Sequence, residues 1–299
     1  MAQTGEVRIP RHATAREGQG RSASLPLSSW RTARAYVLLA PPGAGKTEAM
    51  KAEAAAHNQS PFVEAHLMIR PGWRAPTLAE GQALYIDGLD EARASNAGGH
   101  RVRPLDDICT KLMEMGSPPF RLSCREADWI EALDHGAIKL LADESDVVEL
   151  RLEPLNEQEI RQILEDALVQ TDAVERFWHQ AHQQGLLPVM SNALFLHLMI
   201  TSAGSSGQLP ETRSQTFEVA CEKLASEDNR VHRMAKRDRT PNTSKLLSRA
   251  GMLCAVQLLS GAEAWSDGVA DGTNELALNA LHLDIPVKDL RVAMEPKLF

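Results

Sequence analysis

The chain has 299 residues, room for one large or two ordinary domains, and 43% of them are hydrophobic, enough to build a core. Its 32 basic and 40 acidic residues leave a net charge of −8, which argues against a broad electrostatic surface for nucleic acid. No apolar run is long enough to span a bilayer, the start lacks a signal-peptide core, and Cys109, Cys124, Cys221 and Cys254 show no CxxC spacing. The expectation is a reduced, cytoplasmic chain without a zinc site or a disulfide framework.

Residues 1–24 are rich in Arg, Gly, Ser and Thr, and composition assigns them to a flexible tail in which Arg8, Arg11, Arg16 and Arg21 are solvated charges. Leu25, Leu27 and Trp30 are expected to pack beside the first strand. That strand is Tyr36-Val37-Leu38-Leu39, four apolar residues followed by a loop of small residues and prolines. Lys46-Thr47 then opens a helix that runs to about His57. Strand, glycine-rich loop, Lys-Thr and helix make the context of a phosphate-binding loop. Pro42, Gly43, Ala44, Gly45, Lys46 and Thr47 are its candidate nucleotide-binding residues. The glycines let backbone N–H groups close round phosphate oxygens, and the helix N-terminus adds partial positive charge. Lys46 would reach the β- and γ-phosphates, and the Thr47 hydroxyl would ligate Mg²⁺. Ala40 stands where GxxxxGK[ST] has its first glycine, which is tolerable only at compatible dihedrals.

Phe62 to Met68 is expected as a second strand, and Ala83-Leu84-Tyr85-Ile86-Asp87 as a third that ends in acid. Asp87 at its carboxyl end would hold the Mg²⁺, directly or through water. Asp90 or Glu91 would orient and deprotonate the attacking water. The polar stretch 93–100 reads as a surface connection without chemistry. A helix over about 104–115 follows from Leu105, Ile108, Cys109, Leu112 and Met113. Phe120 to Cys124 is a further buried strand, ending at Arg125, which is placed, with Ser123 beside it, to sense a γ-phosphate. Val147 to Leu152 is a fifth strand, and Asn156 caps the helix after it.

From there on only helical stripes recur, marked by Ile160 and Leu164, by Val174 and Phe177, by Leu194 to Ile200, and by Phe217 and Cys221. His179 and His182, three apart, lack an acidic or Cys partner and read as exposed histidines rather than a metal site. The fold class is therefore α/β, a P-loop NTPase parallel sheet followed by an α-helical lid region. The expected domains are a tail at 1–24, an NTPase domain at 25–155, a helical lid at 156–235, and a partial helical or winged-helix unit at 236–299. The last is expected to hold a basic link (Arg230, Arg233, Lys236, Arg237, Arg239), a helix at 244–259 and a short apolar patch (Ala277, Leu278, Leu281, Leu283). Too small for a full winged helix, it would leave apolar surface for a partner.

Pro42-Gly43-Ala44-Gly45-Lys46-Thr47 with Asp87-Gly88-Leu89-Asp90-Glu91 downstream resembles the NACHT group of STAND NTPases. Leu122-Ser123-Cys124-Arg125-Glu126-Ala127-Asp128-Trp129 resembles the sensor segment of bacterial members. A weaker likeness continues through Pro154-Leu155 and Ser191-Asn192-Ala193-Leu194, where Ala193 replaces a proline to which the family gives an adenine-side contact; Pro188 is a substitute for it. The resemblance implies an ATP- and Mg²⁺-dependent switch that hydrolyses ATP, with ATP and ADP as its nucleotide partners. It also implies protein partners or self-oligomerisation on activation, in bacterial defence signalling. A nucleotide-dependent binding module with little turnover, or a DNA-associated AAA-type ATPase, is the alternative. Neither a nucleic acid nor a membrane is indicated as a partner.

Overall fold

The computed structural model describes residues 10–16, 23–95, 103–141, 147–168, 171–235, 243–262, 264–266, 275–280 and 285–294. Arg8, Arg21, Lys236, Arg237, Arg239, Leu281 and Leu283 therefore lie outside the described residues. In chain order the elements are β1 (His12–Ala15), β2 (Leu25–Pro26), β3 (Ala35–Ala40), α1 (Lys46–Ala56), β4 (Phe62–Glu64), α2 (Ala65–Met68), β5 (Leu84–Asp87), α3 (Leu89–Ser95), α4 (Pro104–Glu114), β6 (Phe120–Arg125), α5 (Glu131–Lys139), β7 (Val147–Leu152), α6 (Glu157–Ala167), α7 (Thr171–Gln183), α8 (Leu187–Met190), α9 (Ala193–Ala203), α10 (Arg213–Ala235), α11 (Thr243–Ser260), β8 (Ala264–Ser266), β9 (Glu275–Ala277) and α12 (Val287–Met294). Two compact units result. The first is Met1–Val169 with Leu187–Leu196, the second Gln170–Leu186 with His197–Phe299, so the stretch 156–235 is shared between them.

The first unit is built on a seven-stranded sheet of order β2-β1-β7-β3-β6-β5-β4. Strands β3 to β7 run parallel, and β1 and β2 add an antiparallel edge beside β7. All six residues of β3 are buried, as a central parallel strand with both faces covered requires. Its residues alternate between two cores. Tyr36, Leu38 and Ala40 meet Leu27 and the α1 residues Ala49, Met50 and Ala54. Ala35, Val37 and Leu39 meet Leu89, Leu105, Ile108, Leu112 and Ile138 from α3, α4 and α5 on the other face.

A charge is buried in this sheet. Arg121 in β6 is fully buried, donates to the carbonyls of Arg31, Ala33, Arg34 and Phe120 at 2.8–3.1 Å, and lies over the Tyr36 ring at 4.8 Å. Four acceptors and an aromatic face replace the water it gave up.

Three expectations need correction. The tail at 1–24 contains β1, whose Ala13 and Ala15 are buried and which pairs with Leu150–Leu152. The strand expected over 62–68 stops at Glu64, because its partner β5 ends opposite it at Asp87; the chain then turns into α2. Arg93, placed in a connection without chemistry, lies in α3 and donates at 2.7 Å to Asp134, a wholly buried carboxylate.

The second unit is helical, with a two-stranded parallel ribbon of β8 and β9. Ala225, Leu246, Ala250, Leu253, Leu278, Leu290 and Ala293 share one core, and Arg249 pairs with Asp289 at 2.9 Å. Leu258 and Leu259 at the end of α11 are exposed, and so are His179 and His182. Among the described residues no helix is long and apolar enough to cross a membrane.

Asn156 caps α6 as expected: its side chain accepts from the Glu159 amide at 2.9 Å, and Glu159 accepts from the Asn156 amide at 2.8 Å. Asn156→Ala is expected to lower stability by about 1 kcal/mol, read as a lower urea midpoint, whereas Asn156→Asp should retain most of it.

Candidate functional site

The site lies at the carboxyl ends of β3, β5 and β6. Register sets its geometry: Ala40 at the end of β3 stands opposite Arg125 at the end of β6, and β6 separates β3 from the acidic strand β5. The glycine loop and the acidic turn after Asp87 thus open on the same edge.

Within the loop, Gly43 and Gly45 have φ of 72° and 88°, in the left-handed region. Space also forbids a side chain. A carbon placed as Cβ on Gly43 would stand 2.9 Å from both Asn192 Oδ1 and Leu194 Cβ; on Gly45 it would stand 3.1 Å from Ala193 Cβ and from Arg11 Nη1. Ala40 closes β3 in extended backbone and is not among the residues with positive φ, which is why an alanine is accepted there.

Five successive carbonyls of this loop each have a donor. Lys46 Nζ donates to Ala40 at 3.1 Å, and the Ala44 amide to Pro41 at 3.4 Å. Asn192 Nδ2 donates to Pro42 at 3.1 Å and the Leu194 amide to Gly43 at 2.9 Å. Arg11 Nη1 donates to Ala44 at 3.0 Å. Gly45 is the N-cap of α1 and supplies no side-chain cap, so the first-turn amides of that helix have no intrahelical acceptor. Three of these carbonyls are held from outside the loop and the amides at the helix start are left without an intrahelical acceptor, an arrangement whose chemistry fits phosphate oxygens.

Lys46 is half-buried. Burial pulls its ammonium below the usual lysine value, with Arg125 acting the same way and the carboxylates of Asp90 and Asp87 acting against it. Thr47 is exposed on the first turn of α1. Asp87 is buried, 8% exposed, and its Oδ1 accepts from Ser123 Oγ at 2.5 Å. The same hydroxyl accepts from the Gly88 amide at 2.9 Å, so Ser123 ties the acidic turn to β6.

Asp90 and Glu91 differ in environment. Asp90 Oδ1 accepts from the Arg125 amide at 3.2 Å and Oδ2 from Arg125 Nε at 2.8 Å, with the carboxylate only 8% exposed. Glu91 is exposed, and its carboxylate lies over Gly88: a Cβ there would be 3.4 Å from Oε2. Sequence reasoning named every one of these residues but not Arg11, Asn192 or Leu194 as parts of the loop's support. A lone polar side chain far away in sequence leaves no local pattern to find. Among the described residues no group of three or more His, Cys, Asp or Glu could hold a metal ion. A cation at Thr47 and Asp87 would therefore need phosphate oxygens and water to complete its shell, which is how Mg²⁺ is commonly held.

A parallel sheet with β6 between the glycine-loop strand and the acidic strand, and a Lys-Thr helix opening from the loop, is a P-loop NTPase fold of α/β class. No family model matches the sequence. No curated protein matches it either. A solved structure, the Thermotoga maritima RuvB Holliday junction branch migration motor, is similar over 66% of this chain and 69% of its own, with 16% identity and a TM-score of 0.31. At that TM-score nothing is carried over from it, and the fold class rests on the sheet order and the loop.

Gly43→Ala should strain the backbone and displace residues 192–194. The expected cost is roughly 1–3 kcal/mol, read as a lower urea midpoint, while Gly72→Ala, also at positive φ but with open space around it, should cost less.

Proposed function

We propose that the chain is an ATP-binding and ATP-hydrolysing molecular switch of the NACHT/STAND type. The observation that supports this reading is the row of five carbonyls from Ala40 to Ala44 that each accept a hydrogen bond, as a phosphate cradle on the loop's concave side would need. ATP is the nucleotide that the sequence resemblance implies.

In this reading Pro42 to Gly45 shape the cradle, and Lys46 exchanges its bond to the Ala40 carbonyl for phosphate oxygens. Thr47 and Asp87 would hold Mg²⁺, which would supply neutralisation of phosphate charge. Ser123 holds Asp87 in place. Of the two acids after Gly88, the exposed Glu91 is assigned as the general base. Asp90 already accepts two hydrogen bonds from Arg125 and is held as its counter-ion. Glu91, exposed beside the end of β5, accepts the proton from the attacking water. Arg125, nearly half exposed, reaches the developing charge on the γ-phosphate while Asp90 sets its position.

The same resemblance supports a role in bacterial defence signalling with protein partners. Adding candidate phage proteins to the purified chain and following ATP turnover tests that part, with stimulation as the supporting result.

Binding and chemistry are separable. Lys46→Ala should weaken ATP binding by tenfold or more, on the scale of a lost charged hydrogen bond (about 1.5–3 kcal/mol), in a titration with a fluorescent ATP analogue. Glu91→Gln should retain ATP and slow hydrolysis by on the order of 10²–10⁴-fold. Wild-type turnover in Glu91→Gln would move the base to Asp90, and binding without any turnover in the wild type would favour a nucleotide-dependent binding module. Asp87→Asn should weaken the response of binding to Mg²⁺.

A further inference from the structure

We propose that Arg11 is a positioning residue for the nucleotide loop, so that affinity for a nucleoside triphosphate depends on the first described strand of the chain. The inference rests on the nucleotide-binding reading above and adds to it a residue far from the motif in sequence.

Arg11 directly precedes β1 and is 9% exposed. Its backbone carbonyl accepts from the Leu27 amide at 2.8 Å, and the next residues are laddered to β7. The stem is thereby fixed to the sheet. From it the guanidinium forks. Nη1 donates to the Ala44 carbonyl at 3.0 Å and Nη2 to the Glu153 carbonyl at 2.7 Å, just after β7. Nη1 also lies 3.1 Å from the point where a Cβ on Gly45 would stand, so the fork is in contact with the loop one residue before Lys46.

Two features argue for positioning rather than plain packing. Burial lowers the Arg11 pKa and the charge of Glu159 opposes it, while Nε is buried without a hydrogen-bond partner. An apolar side chain of the same length would fill this space without the cost of that orphaned N–H. What it could not do is bond two carbonyls from two different segments. The planar fork does so in one geometry, whereas an ammonium is a point donor. The carbonyl it holds, Ala44, belongs to the peptide whose other end is the Gly45 amide. Turning that carbonyl outward turns the amide toward the phosphate side, because the peptide is planar and trans. Without Arg11 the Ala44–Gly45 peptide is free to flip, and a flip would present an oxygen to the phosphates in place of a donor.

The support has its own anchor. Glu159, whose charge faces Arg11, is 7% exposed, accepts from the Asn156 amide, and lies 3.1 Å from His12 Nδ1. The N-terminal strand, the start of α6 and the nucleotide loop thus meet at one guanidinium.

The test compares wild type, Arg11→Met, Arg11→Lys, Arg11→Ala and Lys46→Ala by titration with a fluorescent ATP analogue, with the melting temperature of each unliganded protein as the folding control. Arg11→Met and Arg11→Lys should each bind about tenfold more weakly than wild type, the scale of one hydrogen bond to a charged group. Millimolar methylguanidinium should restore part of the affinity of Arg11→Ala and none of that of Lys46→Ala. If Arg11→Met does not fold, Arg11→Lys, which keeps the stem and charge, carries the comparison. Affinity equal to wild type in Arg11→Lys, or no response of Arg11→Ala to methylguanidinium, overturns the proposal. A wild-type chain that binds no nucleotide overturns the underlying functional reading and this proposal with it, whereas tight wild-type binding with an unaffected Arg11→Lys overturns this proposal alone.

Discussion

The arrangement of the candidate site depends on where the peptide planes of residues 40–44 point. A peptide unit is a dipole, and each offers either its oxygen or its N–H to a given side. Anion binding needs the N–H side. In this chain that choice is not left to the loop: donors from Lys46, Asn192, Leu194 and Arg11 reach its carbonyls. Three of those donors come from outside the motif. The glycines make the turn possible, and the external donors decide which way it faces.

The sheet supplies the second constraint. Because β6 is inserted between β3 and β5, a single short strand touches both halves of the site. Ser123 reaches toward β5, where it holds Asp87 and Gly88, and Arg125 reaches Asp90 on the turn beyond. At the opposite end of the same strand, Arg121 ties the chain before β3 to β6 through the carbonyls of Arg31, Ala33 and Arg34. The strand that positions the acids is therefore fixed at both ends. Arg93 with Asp134 adds a third tie, between α3, which carries Asp90 and Glu91, and the buried carboxylate in the first turn of α5.

Much of this was legible in the sequence for a physical reason. Strands buried on both faces are nearly continuous apolar runs, so β3 and β5 stand out, β6 and β7 are apolar enough to follow, and Asn156 announces α6 because a cap needs only local residues. The glycine loop was likewise readable, as was the acidic stretch that ends β5 at Asp87 and opens α3 with Asp90 and Glu91, because both are local patterns. What escaped is non-local. In β1 the only buried side chains are two alanines, too small to mark a strand. Arg11 is 33 residues from its acceptor and looks like any tail arginine. The return of residues 187–196 to the first unit follows from contacts that no periodicity encodes. Arg121 sits in an apolar run and reads as an interruption until its four acceptors are seen.

The segment 187–196 has a bearing on how the protein is made. Asn192 and its acceptor Pro42 are 150 residues apart, with all of α1 to α8 between them. During synthesis the glycine loop emerges early, yet two of its five carbonyls must wait for donors that leave the ribosome much later. The sheet can assemble from residues 10–152 while the loop is still unfinished. Completion of the loop's hydrogen bonds is then a late event in the life of the nascent chain, coupled to the arrival of the α9 N-terminus rather than to the folding of the sheet that carries the motif.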